Sequence, residues 1–294
     1  MKVYVLGNAC MAPTSKRNAF GALISSEGEN ILVDAGEGIQ QQLMRIKFYP
    51  SSIDKILITH LHGDHLWGLF GLLQSIKASG VSKKIEVYGP RGSKRVLKET
   101  LKRFVNLDFV EFNDVKKRVF FEGKKYFIEA KKLDHSTECL GYSFVEKDRR
   151  KINLSYVKKF GLSKDPLLGN LQKGKDIVYK GKKITVEKGT KLVKGRKVSF
   201  VLDTLFNKKC VELAECADLL VCESTFLDED KSKARDYKHL TSRQAAMIAE
   251  KAKVKKLVLT HFSQRYKDLR VFEKEARKVF KNSFCAKELE AISL

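Results

Sequence analysis

Short apolar runs separated by turn residues open the chain. KVYVLG, FGALISS and ILVDAG are each long enough for one strand, and the turn SEGEN lies between the last two. Together they predict three successive strands of a hairpin-rich sheet. A helix is expected over residues 39–46, and KILIT (residues 55–59), rich in β-branched side chains, reads as a buried strand. HLWGLFGLLQSIKAS (residues 65–79) has apolar residues on every side, which predicts a fully buried helix rather than an amphipathic one. IEVYG then predicts a strand and SKRVLKETLKRF a helix. FVEF, RVFF, KYFIEAKKL and CLGYSFV read as antiparallel strands, and VSFVLDT, KKCVELAECA, LLVCEST, TSRQAAMIAEKA and KKLVLTH as a β-α-β-α-β progression. An α/β protein follows.

One segment breaks this rhythm. Residues 149–197 carry sixteen Lys or Arg against three acids, so a net +13 of the whole chain's +23 sits in one sixth of its length. Glycines at 161, 169, 174, 181, 189 and 195 and the single Pro166 divide it into short pieces, which predicts an extended arm or hairpin inserted into one domain spanning residues 1–294. A lopsided sign of this size implies a polyanionic partner, and nucleic acid fits better than membrane because no basic amphipathic helix with an aromatic face is present. A Lys-rich composition adapted to heat or salt is the competing account of the charge.

Among the 294 residues no run approaches the roughly 18 apolar positions of a membrane span, and MKVYVLGNAC lacks a signal-peptide layout, so no membrane partner and a cytoplasmic location are expected. Six cysteines form no CxxC pair, which excludes a zinc ribbon or redox motif and leaves them mostly as reduced core residues.

The chemistry is concentrated in the histidines, only six in number. THLHGDH (residues 59–65) places three imidazoles and a carboxylate directly after a buried strand: His60 and His62 can converge on one ion while Asp64 and His65 point to a second. Gly63 is expected to supply backbone freedom for the reversal. His135, Asp203 and His261 each follow an apolar strand, where side chains can reach a shared sheet edge. Seven ligands divide into two sites, His60, His62 and His135 for one and Asp64, His65 and His261 for the other, with Asp203 bridging. Zinc suits this N/O set, with manganese or iron as alternatives, and paired ions can act on both oxygens of a phosphodiester. The remaining histidine, His239, precedes a helix for which Thr241 and Gln244 fit a capping box.

Laid out in this order, LGNACMAPTSKRN, VDAGEG, THLHGDH, VYGPRG, LDHSTECLGY, LDT, CESTF, HLTSRQAA and LTHFSQRY make the chain resemble the metallo-β-lactamase superfamily and, within it, the ribonuclease Z family of tRNA 3′-processing endonucleases, over nearly its full length. The resemblance implies a four-layer αββα sandwich, two Zn2+ per chain, cleavage of precursor tRNA 3′ of the discriminator nucleotide, and a homodimer. It carries over the seven ligands individually and gives Asp64 a second role, orienting or deprotonating the attacking water. Glu223 would orient His239, which would protonate the departing ribose 3′-oxygen. An arm inserted before the strand bearing the bridging Asp grips the tRNA elbow in this family; residues 149–197, including Lys158, Lys159, Lys173, Lys175, Lys182 and Lys183, occupy that place. Pro13, Arg17 and Asn18 match the family's N-terminal loop, Lys16 stands one position later than usual, and Arg265 is a further expected substrate contact. LDT replaces GDT before the bridging ligand, so Leu202 must turn into the core.

Two other readings share these motifs. A small-molecule hydrolase of the same fold, a lactonase, thioesterase or arylsulfatase-like protein, explains THLHGDH but not the basic segment. A nucleic-acid binder without catalysis explains the charge but not a complete set of ligands and proton-transfer groups.

Overall fold

The computed structural model describes residues 1–80 and 83–294, and two seven-stranded sheets dominate it. The opening runs form the predicted antiparallel strands Lys2–Gly7, Gly21–Ser26 and Glu29–Val33, with Leu23 opposite Leu32 across the hairpin. Lys55–Leu57 and Ile85–Gly89 continue this sheet in parallel, and Ala291–Ser293 closes its other edge. FVEF departs from expectation: Val110–Asp114 pairs in parallel with Ile85–Gly89. The helix Ser93–Leu101 between them makes the unit a crossover, which returns the chain in the same direction.

The second sheet runs in the order Ser283–Cys285, Leu257–Thr260, Leu219–Glu223, Lys197–Val201, Glu138–Glu146, Tyr126–Asp134, Val119–Glu122. Its last three strands form the expected antiparallel meander, and its first four the parallel end of the β-α progression. Inward side chains of both sheets share one core, in which Val5, Ile24 and Val33 of the first meet Tyr142, Phe200 and Val221 of the second. Leu202 is fully buried there, as LDT required. The outer face of the first sheet is covered by helices Ile39–Arg45, Gly68–Ala78 and Ser93–Leu101, and that of the second by Lys208–Ala214 and Ser242–Lys251. The result is an αββα sandwich.

Residues 65–79 correct the expectation of an all-round buried helix. They fall into two pieces, Gly63–Leu66 and Gly68–Ala78, and the longer piece buries only Leu69, Leu72, Leu73 and Ile76. A layer that covers one face of a sheet needs only one apolar stripe, and Trp67 stands 61% exposed.

The basic segment is more compact than an extended arm. Arg149–Ile152 pairs with Thr190–Val193 as a two-stranded stem, and a second small hairpin joins Ile177–Tyr179 to Lys182–Ile184. Short helical turns between them close over Val157, Leu162, Leu171, Ile177 and Ile184, a core of its own. Those five apolar residues lack any helix or strand period, which is why the surrounding lysines hid them. The final residues of the segment belong to the main body: Arg196 pairs with Glu146 at 2.7 Å and Lys197 with Glu129 at 3.1 Å. Among the described residues, no helix is long and apolar enough to cross a membrane.

Candidate metal centre

Apolar strands give way to polar side chains at one edge of the sandwich, and the site assembles there. His60 follows Lys55–Leu57, His135 follows Tyr126–Asp134, Asp203 follows Lys197–Val201 and His261 follows Leu257–Thr260. Donor atoms of His60, His62, His135 and Asp203 lie within 4.8 Å of one another, and so do those of His65, Asp203 and His261. Asp203 belongs to both groups: Oδ2 is 3.5 Å from His60 Nε2, and Oδ1 is 3.5 Å from His65 Nε2 and 3.4 Å from His261 Nδ1. Asp64 Oδ2 adjoins the second group, 3.4 Å from His261 Nε2 and 3.6 Å from His65 Nε2. All seven residues expected as ligands thus meet in one place, with Asp203 in reach of both groups.

Whether this set suits cations can be tested on its unpaired atoms. His60 Nε2 and Asp203 Oδ1 are buried without a hydrogen-bond partner. Ring nitrogens also face ring nitrogens, His65 Nε2 to His261 Nε2 at 3.1 Å and His62 Nδ1 to His135 Nε2 at 3.3 Å. Each facing pair needs a proton or a cation between its lone pairs, and with two further buried atoms left without any partner the donor set fits divalent metal. Burial, reinforced by His65, holds the His60 imidazole well below the usual histidine range, which keeps it in the neutral form a metal needs. Burial opposes charge on Asp203 too, but His261 and His65 outweigh it and hold the carboxyl well below its usual range.

A further carboxylate organises this cluster. Asp34, fully buried, meets His65 Nδ1 at 2.7 Å, accepts the Thr59 amide at 2.7 Å and accepts the Thr59 hydroxyl at 2.8 Å. Thr59 Oγ1 in turn lies 3.0 Å from His60 Nδ1, so one carboxylate orients two rings. Asp34, Asp203 and His261 all take left-handed backbone angles, with φ of 56°, 39° and 59°. Such strain in non-glycine residues is held in place by the surrounding packing and aims the side chains at the centre. Sequence reasoning gave Asp34 no role, yet its signal was the one that found Asp203: an acid terminating a buried apolar run. Cys10 departs from the expected core placement: it lines the metal cleft with its sulfur near Asp64 and His261. Cys139, Cys210 and Cys222 are buried as expected.

Gly63 also carries a different burden from the one expected. It begins a helix, and a Cβ there would lie 1.9 Å from Trp67 Nε1, so the indole edge rather than the turn demands glycine.

Beside the cluster stands the sixth histidine. His239 Nδ1 is 3.1 Å from both oxygens of Glu223, which is fully buried and also accepts the amides of Thr204 (2.7 Å) and Leu240 (3.1 Å) and the Thr225 hydroxyl (2.8 Å). The capping box of Thr241 and Gln244 is formed, which sets the helix directly after this histidine. Burial works against a charge on His239, but Glu223 and then Asp203 outweigh it and push its pKa up to about 9. The cleft over the metal cluster, about 450 Å³, is walled by Met11, Pro13, Glu37, Trp67, Tyr237 and His239.

The N-terminal loop closes one side. The Met11 amide donates to Asp64 Oδ2 at 2.7 Å, and the Arg17 guanidinium donates to the carbonyls of Phe262, Ser263 and Tyr266 at 3.2–3.4 Å, which ties this loop to the one following His261. The Asn18 amide donates to Glu288, and Lys16 is exposed. Arg265 lies over the Phe226 ring and pairs with Asp230 at 3.6 Å, behind Tyr237 and His239 and not itself among the residues lining the cleft. Lys158, Lys159, Lys173, Lys175, Lys182 and Lys183 are all exposed on the basic segment; Lys183 also pairs with Asp176.

Known proteins share both the sequence and the fold. The sequence model of the family described as "Anti-Pycsar protein Apyc1" matches residues 1–153, a span that includes THLHGDH and His135 but ends before Asp203, Glu223, His239 and His261. The full-length matches cover those residues as well. Ribonuclease Z of Bacillus cereus (strain B4264) is 36% identical over 306 residues, covering 99% of this chain and 98% of that protein. Ribonuclease Z of Nitrosopumilus maritimus (strain SCM1) is 36% identical over 299 residues and the whole of both chains. The crystal structure of human tRNase Z, short form, superposes with a TM-score of 0.72 at 28% identity, covering 100% of this chain and 99% of that one. Zn(2+)-bound PqqB from Methylobacterium extorquens, with a TM-score of 0.67 at 13% identity and 100% of each chain covered, shares the fold. With its full-length likeness and its αββα sandwich, the chain belongs to the ribonuclease Z family of the metallo-β-lactamase fold.

Proposed function

We propose that this chain is an endoribonuclease that cuts precursor tRNA on the 3′ side of the discriminator nucleotide, leaving a 3′-hydroxyl on the tRNA and a 5′-phosphate on the trailer. Two zinc ions per chain, held by His60, His62 and His135 and by Asp64, His65 and His261 with Asp203 between them, would supply Lewis-acid activation of the phosphodiester and of the attacking water. Asp64 lies at the cleft wall, where its carboxylate orients that water and takes its proton. The observation that carries the reading is His239. Glu223 fixes Nδ1, so the other ring nitrogen is left for the cleft, and the ring centroid lies 5.5 Å from that of His261 and 5.3 Å from that of His135. A raised pKa keeps this ring protonated at neutral pH, ready to give its proton to the leaving ribose 3′-oxygen.

The basic segment supports a large polyanion as substrate. Its exposed lysines stand on a stem outside the sandwich, suited to phosphate contacts and remote from the chemistry. Pro13 and Lys16 on the N-terminal loop would meet the RNA near the cut, with Arg17 and Asn18 fixing the loop. Arg265 would meet it beyond the Phe226 ring. A homodimer is the family's expectation, and Met44 (66% exposed) and Tyr49 (79%) offer it apolar surface. Purified protein supplied with zinc or manganese should trim a trailer-bearing precursor tRNA to one product, mapped by sequencing its 3′ end. Turnover of a lactone or thioester with the precursor left intact would overturn the assignment.

A further inference from the structure

The direction of the proposed cleavage fixes which half of the RNA lies where. Water attacks phosphorus, the bond to the ribose 3′-oxygen breaks, that oxygen takes the proton of His239, and the phosphate stays on the trailer. The nucleotide on the tRNA side therefore leaves past His239. A second cleft of about 550 Å³ begins there, and His239 is the residue it shares with the metal cleft; Lys231 and Arg235 line it. The first trailer nucleotide is left with the opposite part of the metal cleft.

That part carries the chain's single tryptophan. Trp67 follows the metal loop by two residues and rests its indole edge against Gly63, which holds the ring beside His62 and Asp64. It is nevertheless 61% exposed, an orientation that offers a flat apolar face to the cleft while Leu69, Leu72, Leu73 and Ile76 of the following helix are buried. From it an aromatic row leads outward: Phe70 lies 6.0 Å from Trp67 and Phe104, 71% exposed, lies 6.0 Å from Phe70. Lys98, Lys102 and Arg103 surround Phe104 in an open groove. Aromatic faces interleaved with cations are what unpaired RNA binds, its bases stacking and its phosphates neutralised.

We propose that Trp67 stacks on the first base of the trailer, and that Phe70 and Phe104 with their flanking cations carry the following nucleotides away from the cut. This rests on the cleavage reading above. The indole itself reports the contact, since no other tryptophan contributes to the fluorescence. Stopped-flow mixing with a trailer-bearing precursor should quench the emission before product forms, whereas a precursor abasic at the first trailer position should not. The same abasic change should raise KM about tenfold or more in the unaltered protein. Trp67→Ala should remove that difference between the two substrates, and Trp67→Phe, which keeps a ring, should retain most of it. Unchanged emission, or discrimination that survives in W67A, would overturn the proposal. So would an emission that depends on protein concentration alone and not on RNA, because a second copy would then be covering the indole. If the precursor is not cut at all, the cleavage reading fails, while quenching by a single-stranded trailer oligonucleotide still tests the stacking.

Discussion

The metal centre and the basic segment solve opposite problems. At the centre seven candidate donors converge within a few ångströms, and neighbours orient several of the rings: Asp34 holds His65, the Lys238 carbonyl lies beside His135, and Glu223 holds the adjoining His239. On the segment the charges are exposed, spread over short turns, and few have partners. Geometry matters at the first and sign at the second. A single atom misplaced in the centre should disable it, whereas no single lysine of the segment should be indispensable.

Experiments can press on that contrast, beginning at the bridge. Asp203→Ala should abolish turnover of precursor tRNA and of bis(p-nitrophenyl) phosphate together, with metal per chain falling from about two as measured by elemental analysis. Retained activity on either substrate would show that the two groups of donors work independently. His239→Ala should lower kcat on RNA by about 10²- to 10⁴-fold with metal content unchanged. The protonated ring is the active acid, so the rate should fall as pH rises through about 9. Removing the charge that raises it, in Glu223→Gln, should move this alkaline limb to lower pH.

Shortening the segment should produce the opposite pattern. Ile152 and Thr190 are paired at the end of the stem, so a tight turn joining them would remove residues 153–189 without disturbing the sandwich. RNA affinity should then fall on the order of 10²-fold or more and lose much of its salt dependence, while bis(p-nitrophenyl) phosphate is still hydrolysed. Equal loss of both activities would make the segment part of the catalytic scaffold. The smallest effect belongs to the support beneath the ligands. Asp34→Asn keeps the size of the side chain but removes the charge facing His65, and metal affinity should drop about 10- to 100-fold in a chelator competition.

The uneven legibility of the two regions has a physical origin. Imidazole and carboxylate are rare at the ends of buried strands, so THLHGDH, His135, Asp203 and His261 announced themselves by residue type and position alone. Asp34 ends an apolar run just as Asp203 does, and what separates them, contact with the His65 Nδ1 side rather than with the nitrogens that face the cluster, lies in the fold and not in the chain. Parallel pairing of Val110–Asp114 was hidden because a strand's direction depends on the crossover before it and not on its own residues. Charge revealed that the basic segment meets a polyanion, but its core of Val157, Leu162, Leu171, Ile177 and Ile184 has no period to read. Trp67 looked like one more apolar residue of a helix, and only its exposure beside the metal loop distinguishes it.

The stem of the basic segment springs from two strands that already lie side by side, with Val145 opposite Lys197. Closing a loop between such neighbours costs chain entropy that grows only slowly with the number of residues enclosed. Evolution can therefore lengthen, reshape or delete whatever stands on that stem with little penalty to the sandwich. A lineage could change which polyanion it grips without touching the groups that break the bond, and a protein engineer could graft a foreign recognition module at the same junction.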